Sequence, residues 1–199
     1  MRSIILNRNN IDINSEDTVI IESFRRGNEK AFNYIVLKYQ KKIYWFIRKM
    51  VIDHDEADDL TQEVFIKLYD SIDSFRGDSK FFTYIYKMAM NHSLNHLKKR
   101  HIILNKKGDF SKEAYNLKSD EKNSDEIYDS YNKTKNLEEA ILTLPDQQRA
   151  VFNLRYYENL TYEEISNILN KSIGGLKANY FHAIKKIEEH LKKKRIFNE

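Results

Sequence analysis

Lys177, His182, Lys185 and Lys186 fall on one side of a helix predicted from Ser172 to Leu191. Such a row of cations can neutralise phosphates while the side chains among them reach base edges. The opposite side carries Leu176, Tyr180, Ala183, Ile184, Ile187 and Leu191 at helical spacing, so that side is expected to be buried. A lysine-rich face taken alone is most simply a solvated one. Gly174 and Gly175 add to the reading, since each costs about 1 kcal/mol relative to Ala inside a helix and so implies a close backbone neighbour. That neighbour is either the preceding helix or a phosphate at this helix start.

Other residues could support different chemistry. Asp55, Glu56, Asp58, Asp59 and Glu63 form an acidic face suited to a basic partner, or simply to water. Phe81, Phe82, Tyr84 and Tyr86 crowd a helix start with more rings than one buried stripe takes, behind a turn-rich SFRGDSKFF segment. A loop with aromatics and cations can stack an unpaired base, worth about 1–3 kcal/mol, against the few kcal/mol that unstacking costs. His54-Asp55 resembles a hydrolase metal pair, and His92 with His96 has the i, i+4 spacing of two ligands. No Glu follows His92 to complete a metalloprotease motif, so these histidines are read as polar surface, with no metal, cofactor or catalytic residue assigned.

The elements that position these groups are helices. One proline and five glycines in 199 residues leave few turn markers, which favours long helices over sheets. The fold class is all-α, with two small helical domains, each with a modest core, joined by a flexible linker, and the second domain containing a helix-turn-helix. In that motif Thr161 and Glu164 form a capping box; Ile165, Ile168 and Leu169 face inward, Asn170 ends the first helix, and Ser172 caps the second. The domains run from 19 to 100 and from 137 to 195. In the first, Val19 to Phe24 is a short helix, and Ala31 to Met50 is one long helix or two in line. Asp53 with Glu56 offers a second capping box before Ala57, Leu60, Val64 and Leu68. A further helix ends near Arg100. Residues 101–136, low in aliphatics and rich in Lys, Asp, Ser and Asn, form the linker, with helical turns near Ile127 to Tyr131. Pro145 stands in the first turn of a helix carrying Val151, Phe152 and Leu154.

The formal net charge of +4 permits a polyanionic partner without requiring one. The absence of cysteine excludes disulfides and thiolate zinc sites, and no apolar run reaches signal-peptide or membrane-span length, so a cytoplasmic location is expected.

Together, DEADDLTQEVF (Asp55 to Phe65), FRGDSKFFTYIYKMAMNHSLNHLKKR (Phe75 to Arg100) and Leu144 to Ile187 resemble the bacterial RNA polymerase sigma factors of the two-domain extracytoplasmic-function (ECF) type, of the sigma-70 superfamily. The resemblance covers about Ala31 to Arg100 and Leu137 to Leu191. It implies a protein that binds core RNA polymerase and directs initiation at promoters with minus-ten and minus-thirty-five elements. Domain 19–100 would be region 2, docking on the clamp helices of the largest subunit through Asp55, Asp58, Asp59, Leu60, Gln62, Glu63 and Phe65. Its minus-ten contacts would be Phe75, Arg76, Asp78 and Ser79 in the loop and Asn91, Asn95, Lys98, Lys99 and Arg100 behind it. Domain 137–195 would be region 4, engaging the flap of the second-largest subunit and reading the minus-thirty-five element with Ser172, Gly175, Lys177, Ala178, Phe181, His182 and Lys185. An anti-sigma factor is the implied regulator.

The sequence departs from the family pattern at Gly175, where Thr is common, at Ala178, where Ser is common, and at Asn179, where Arg is common. Tyr84 replaces a common Trp and Asn95 a common Asp. Loss of the Arg removes a phosphate contact for which Lys185 and Lys186 could compensate. Two elements nearly two DNA turns apart lie on the order of 60 Å from each other. A disordered linker of about 35 residues has an r.m.s. span of roughly 30–35 Å and a contour above about 100 Å, so it reaches when stretched. Competing readings are a stand-alone helix-turn-helix regulator, which leaves the acidic helix without a role, and a sigma-like adaptor that titrates a regulatory partner, which would not need the basic face.

Overall fold

The computed structural model describes residues 11–107 and 135–194, and every regular element there is helical. In chain order these are α1 (Asp17–Arg25), α2 (Lys30–Val51), α3 (His54–Ser71), a short 3-10 turn (Ile72–Ser74) and α4 (Phe81–Lys107), then α5 (residues 135–142), α6 (Asp146–Tyr156), α7 (Tyr162–Leu169) and α8 (Ile173–Lys193).

The first domain is built on α2, a single helix of 22 residues rather than two in line. Its stripe of Ile35, Tyr39, Ile43, Phe46, Ile47 and Met50 is buried against Ala57, Leu60, Val64 and Leu68 of α3 and against Ile85, Ala89 and Met90 of α4. Each such aliphatic side chain contributes about 1.5–3 kcal/mol through burial. Asp53 caps α3 by accepting from the Glu56 amide at 3.0 Å. The reciprocal half expected of a capping box is replaced, because Glu56 turns to His96 and Arg100 of α4 at 3.2 and 3.3 Å.

Helix α4 continues through Lys107, seven residues beyond the expected end at Arg100. Nothing between His101 and Lys107 is a helix breaker, and the leucine and isoleucines there extend the run. Lys135 and Asn136 already belong to α5. The rest of the expected linker, with the turns near Ile127 to Tyr131, lies outside the described residues.

In the second domain, Ala140, Ile141, Leu144, Phe152, Ala183, Ile187 and Leu191 pack together. Pro145 stands one position before α6, at its N-cap, rather than inside its first turn. The six consecutive residues Arg149 to Leu154 are all buried, which one helix face cannot achieve. Helix α6 is in fact covered on both sides: Ala150, Val151 and Leu154 join the core of the first domain, together with Leu160, Ile165, Ile168 and Leu176. The second domain therefore keeps a cluster of its own and also contributes to the core of the first, where wholly separate cores were expected. Part of the aromatic surplus of α4 is absorbed here, since Tyr86 is fully buried and donates to Glu158 of the second domain at 2.7 Å.

Candidate nucleic-acid interface

The helix-turn-helix is assembled by local hydrogen bonds. The Thr161 hydroxyl accepts from the Glu164 amide at 3.2 Å, and the Glu164 carboxylate accepts from the Thr161 amide at 3.0 Å. That backbone donor, with Lys80 nearby, holds the Glu164 carboxyl below its ordinary range. Asn170 leaves α7 in the left-handed conformation at φ 53° and ψ 48°. The Ser166 hydroxyl ties down the turn by donating to the Lys171 carbonyl at 2.7 Å. Ser172 then caps α8 by accepting from the Gly175 amide at 3.3 Å.

Gly174 is open on the side where a Cβ would stand, and at Gly175 a Cβ would meet only the Ser172 hydroxyl, at 3.2 Å. The preceding helix is thus not the close neighbour that the glycines suggested. The start of α8 presents bare backbone to solvent instead. Lys177, Ala178, Phe181, His182 and Lys185 are all exposed, Phe181 at 65%. Asn179, at the position of the missing Arg, turns back to donate to the Gly175 carbonyl at 3.0 Å. The Lys177 ammonium lies 5.7 Å from the centre of the Tyr162 ring, so the first helix of the motif helps to hold it.

The loop between the 3-10 turn and α4 separates its residues sharply. Arg76, Asp78 and Ser79 are exposed around Gly77, which takes φ 81°. Phe75 is only 6% exposed, packed edge-on against Phe81 at 5.4 Å and tilted against Tyr84 at 5.2 Å. The loop base is clamped by Arg25, whose guanidinium donates to the carbonyls of Ile72, Asp73 and Phe75. Phe75 is therefore an anchor for the loop in this structure, not a ring offered to a base. Along α4, Asn91, Asn95, Lys98 and Lys99 share an exposed face at helical spacing, while Arg100 is half-buried and held by Glu56.

On α3, Asp55, Asp58, Asp59, Gln62 and Glu63 are exposed, Phe65 is half-buried, and Leu60 belongs to the core. Beside them lies a groove of about 320 Å³ lined by Leu37, Gln40, Lys41 and Tyr44 of α2 with Asp58, Thr61 and Gln62 of α3. The contribution of α2 to this face was not read from the sequence. The signal was there, because Leu37 and Tyr44 are apolar residues seven apart and off the buried stripe. The histidines join α3 to its neighbours: His92 meets Glu63 at 3.3 Å, His96 meets Glu56 at 3.2 Å, and His54 meets the Tyr44 hydroxyl at 2.5 Å. Among the described residues, no three His, Asp or Glu side chains are grouped to hold a metal ion.

The sigma-70 region 2 family model matches residues 35–101, and the sigma-70 region 4 model matches residues 134–187. The RNA polymerase sigma-H factor of Pseudomonas aeruginosa is 34% identical over 187 residues, covering 88% of this chain and 94% of that protein. The chain belongs to the sigma-70 family. The ECF RNA polymerase sigma-E factor of Escherichia coli K12 is 32% identical over 177 residues, covering 86% of this chain and 92% of its own. This is a promoter-directing RNA polymerase sigma factor of the ECF type. Its fold matches the sigma factor RpoE of Bartonella quintana, solved in complex with the anti-sigma factor NepR, at TM-score 0.66 and 22% identity, over 82% of this chain and 98% of that one. It also matches CnrH in complex with the cytosolic domain of CnrY, at TM-score 0.65 and 16% identity, over 90% and 99% of the two chains. In this sigma factor the segments matched as regions 2 and 4 carry the acidic face and the helix-turn-helix respectively.

Proposed function

We propose that the sigma factor divides its work among three exposed surfaces. The acidic face of α3, extended by the groove with α2, docks on the clamp helices of core polymerase. Arg76, Asp78 and Ser79, with Asn91, Asn95, Lys98 and Lys99 of α4, engage the minus-ten element. Ser172, Gly175, Lys177, Ala178, Phe181, His182 and Lys185 read the minus-thirty-five element, and the second domain meets the flap. The observation that carries this reading is segregation: the carboxylates of α3 and the cations of α4 and α8 stand on different exposed faces. Opposite signs kept apart suit one basic protein partner and one nucleic acid.

The protein performs no reaction of its own in this reading; strand opening draws on binding energy and on polymerase. A described structure without any helix long and apolar enough to cross a membrane is consistent with work in the cytoplasm beside polymerase. An anti-sigma factor is the expected regulator, supported by a solved relative of the same fold that is held by one.

The test is to mix the purified chain with core polymerase and a promoter carrying both elements. Holoenzyme formation and specific initiation are expected, with at least a tenfold loss of core affinity for Asp58→Lys with Asp59→Lys. Normal affinity in that double variant would remove α3 from the docking surface.

A further inference from the structure

Helix α4 runs past the point where its exposed polar face was expected to stop, and it carries two apolar residues there, Ile102 and Ile103, 46% and 53% exposed. Successive residues of a helix turn by about 100°, so Asn91, Asn95, Lys98 and Ile102 fall on one line along α4. Ile103 stands beside that line, one turn beyond Lys99. The opposite side of the helix is fixed at this level: Leu97 is 1% exposed, and Arg100 reaches Glu56 of α3 at 3.3 Å. The two isoleucines are therefore carried on an anchored stretch of helix, which suits a contact that must be placed accurately.

A lone exposed isoleucine on a surface needs no explanation. A pair that prolongs a row of amides and ammonium groups fits a ligand that offers polar groups first and apolar ones next to them. Duplex DNA is such a ligand, because beside its phosphates the major groove displays the C5-methyl group of every thymine. The direction along the promoter follows from the chain. The minus-ten loop precedes α4, and the far end of α4 leads through residues 108–134 to the domain assigned to the minus-thirty-five element. Ile102 and Ile103 thus stand on the upstream side of the minus-ten contacts.

We propose that Ile102 and Ile103 read thymine methyl groups in the base pairs immediately upstream of the minus-ten element, which gives this sigma factor a promoter preference beyond its polar contacts. Ile102 lies one turn past Lys98, about 6 Å of helix rise, or less than two base-pair steps from the phosphate that Lys98 would hold. Each methyl group covered by an isoleucine leaves water and should contribute about three- to fivefold in affinity, the effect of burying one carbon. The inference rests on the minus-ten reading of α4.

Deoxyuridine lacks only the methyl group of thymidine, so it replaces each thymine in turn over about four pairs upstream of the minus-ten element. Core polymerase carrying the full chain is titrated onto these promoters. With the unchanged chain, one or two positions should each lose about three- to fivefold in affinity. Ile102→Ser with Ile103→Ser should bind the thymine promoter about tenfold more weakly and respond to uridine by less than about 1.5-fold. Ile102→Val with Ile103→Val should keep the uridine response. An equal response in the serine variant, or none in the unchanged chain, would overturn the inference. So would a thermal midpoint lowered by more than about ten degrees in the serine variant, because the two side chains would then be packing inside the protein. Failure of the unchanged chain to initiate with core polymerase would instead contradict the sigma reading.

Discussion

At the residue scale, the helix-turn-helix depends on a few short polar side chains. Removing the Thr161 hydroxyl deprives the Glu164 amide of its acceptor at the start of α7, and caps of this kind are worth about 1 kcal/mol. Thr161→Ala should lower the thermal midpoint by a few degrees, with little change in core binding; an unchanged midpoint in calorimetry would show the cap to be idle. Glu164 gives this region an acid sensitivity. Its folded pKa is depressed, so its stabilisation is full above the ordinary carboxylate range and is lost as pH falls through the lowered value. Because Glu164 also pairs with Lys80, the contact between domains should loosen in the same acid window, and Glu164→Gln should flatten that response in a pH series. The caps at Thr161, Asn170 and Ser172 were legible because capping is a local matter of three or four residues. Phe75 was not, because its sequence neighbours suggest a loop ring while Arg25, fifty residues away, folds that loop base inward.

At the element scale, α6 and α4 carry what the sequence concealed. Arg149 and Asn153 are polar and one turn apart, a pattern that reads as a solvated face, and only the end of α2 makes them interior. The aromatic excess of α4 was visible, but its use was not, since Tyr86 and its partner Glu158 are 72 residues apart. Burial, followed by the Glu158 hydrogen bond and charge, raises the Tyr86 pKa well above its ordinary value, so the hydroxyl remains a donor throughout the neutral range. Tyr86→Phe keeps the ring and removes the donor, at a cost of about 1 kcal/mol to the contact between the domains. Thermal melting of that variant should show a midpoint lowered by a few degrees, and an unchanged midpoint would show the hydrogen bond to be idle. On α8 the side chains proposed to read bases are exposed: Phe181→Ala should weaken binding to a minus-thirty-five duplex by about 1–3 kcal/mol, without loss of helicity, in a titration at fixed salt. Equal affinity for the variant would move base reading away from this position.

At the scale of the whole molecule, the order of elements and their helical class were readable, because hydrophobic periodicity and the scarcity of glycine and proline act along the whole chain. The packing of part of the second domain into the core of the first was not, since it depends on which faces of α6 and α7 meet α2 and α4. The two packed domains are expected to separate when both promoter elements are gripped, and the segment between α4 and α5 then has to reach. Deleting about half of residues 108–134 leaves a contour of roughly 45 Å, short of the separation on the order of 60 Å between the elements. Such a protein should keep both domains folded, judged by thermal melting, and lose most transcription from a normally spaced promoter. Normal transcription would contradict the geometry.

The most direct measurement of the account is the distance between the domains before and after assembly. Lys87 on α4 and Glu163 on α7 are exposed, lie on helices that pack together, and can each be replaced by Cys for dye labelling. Energy transfer should be high in the free protein and should collapse once core polymerase and a two-element promoter are bound. The same high transfer in an initiating complex would contradict it.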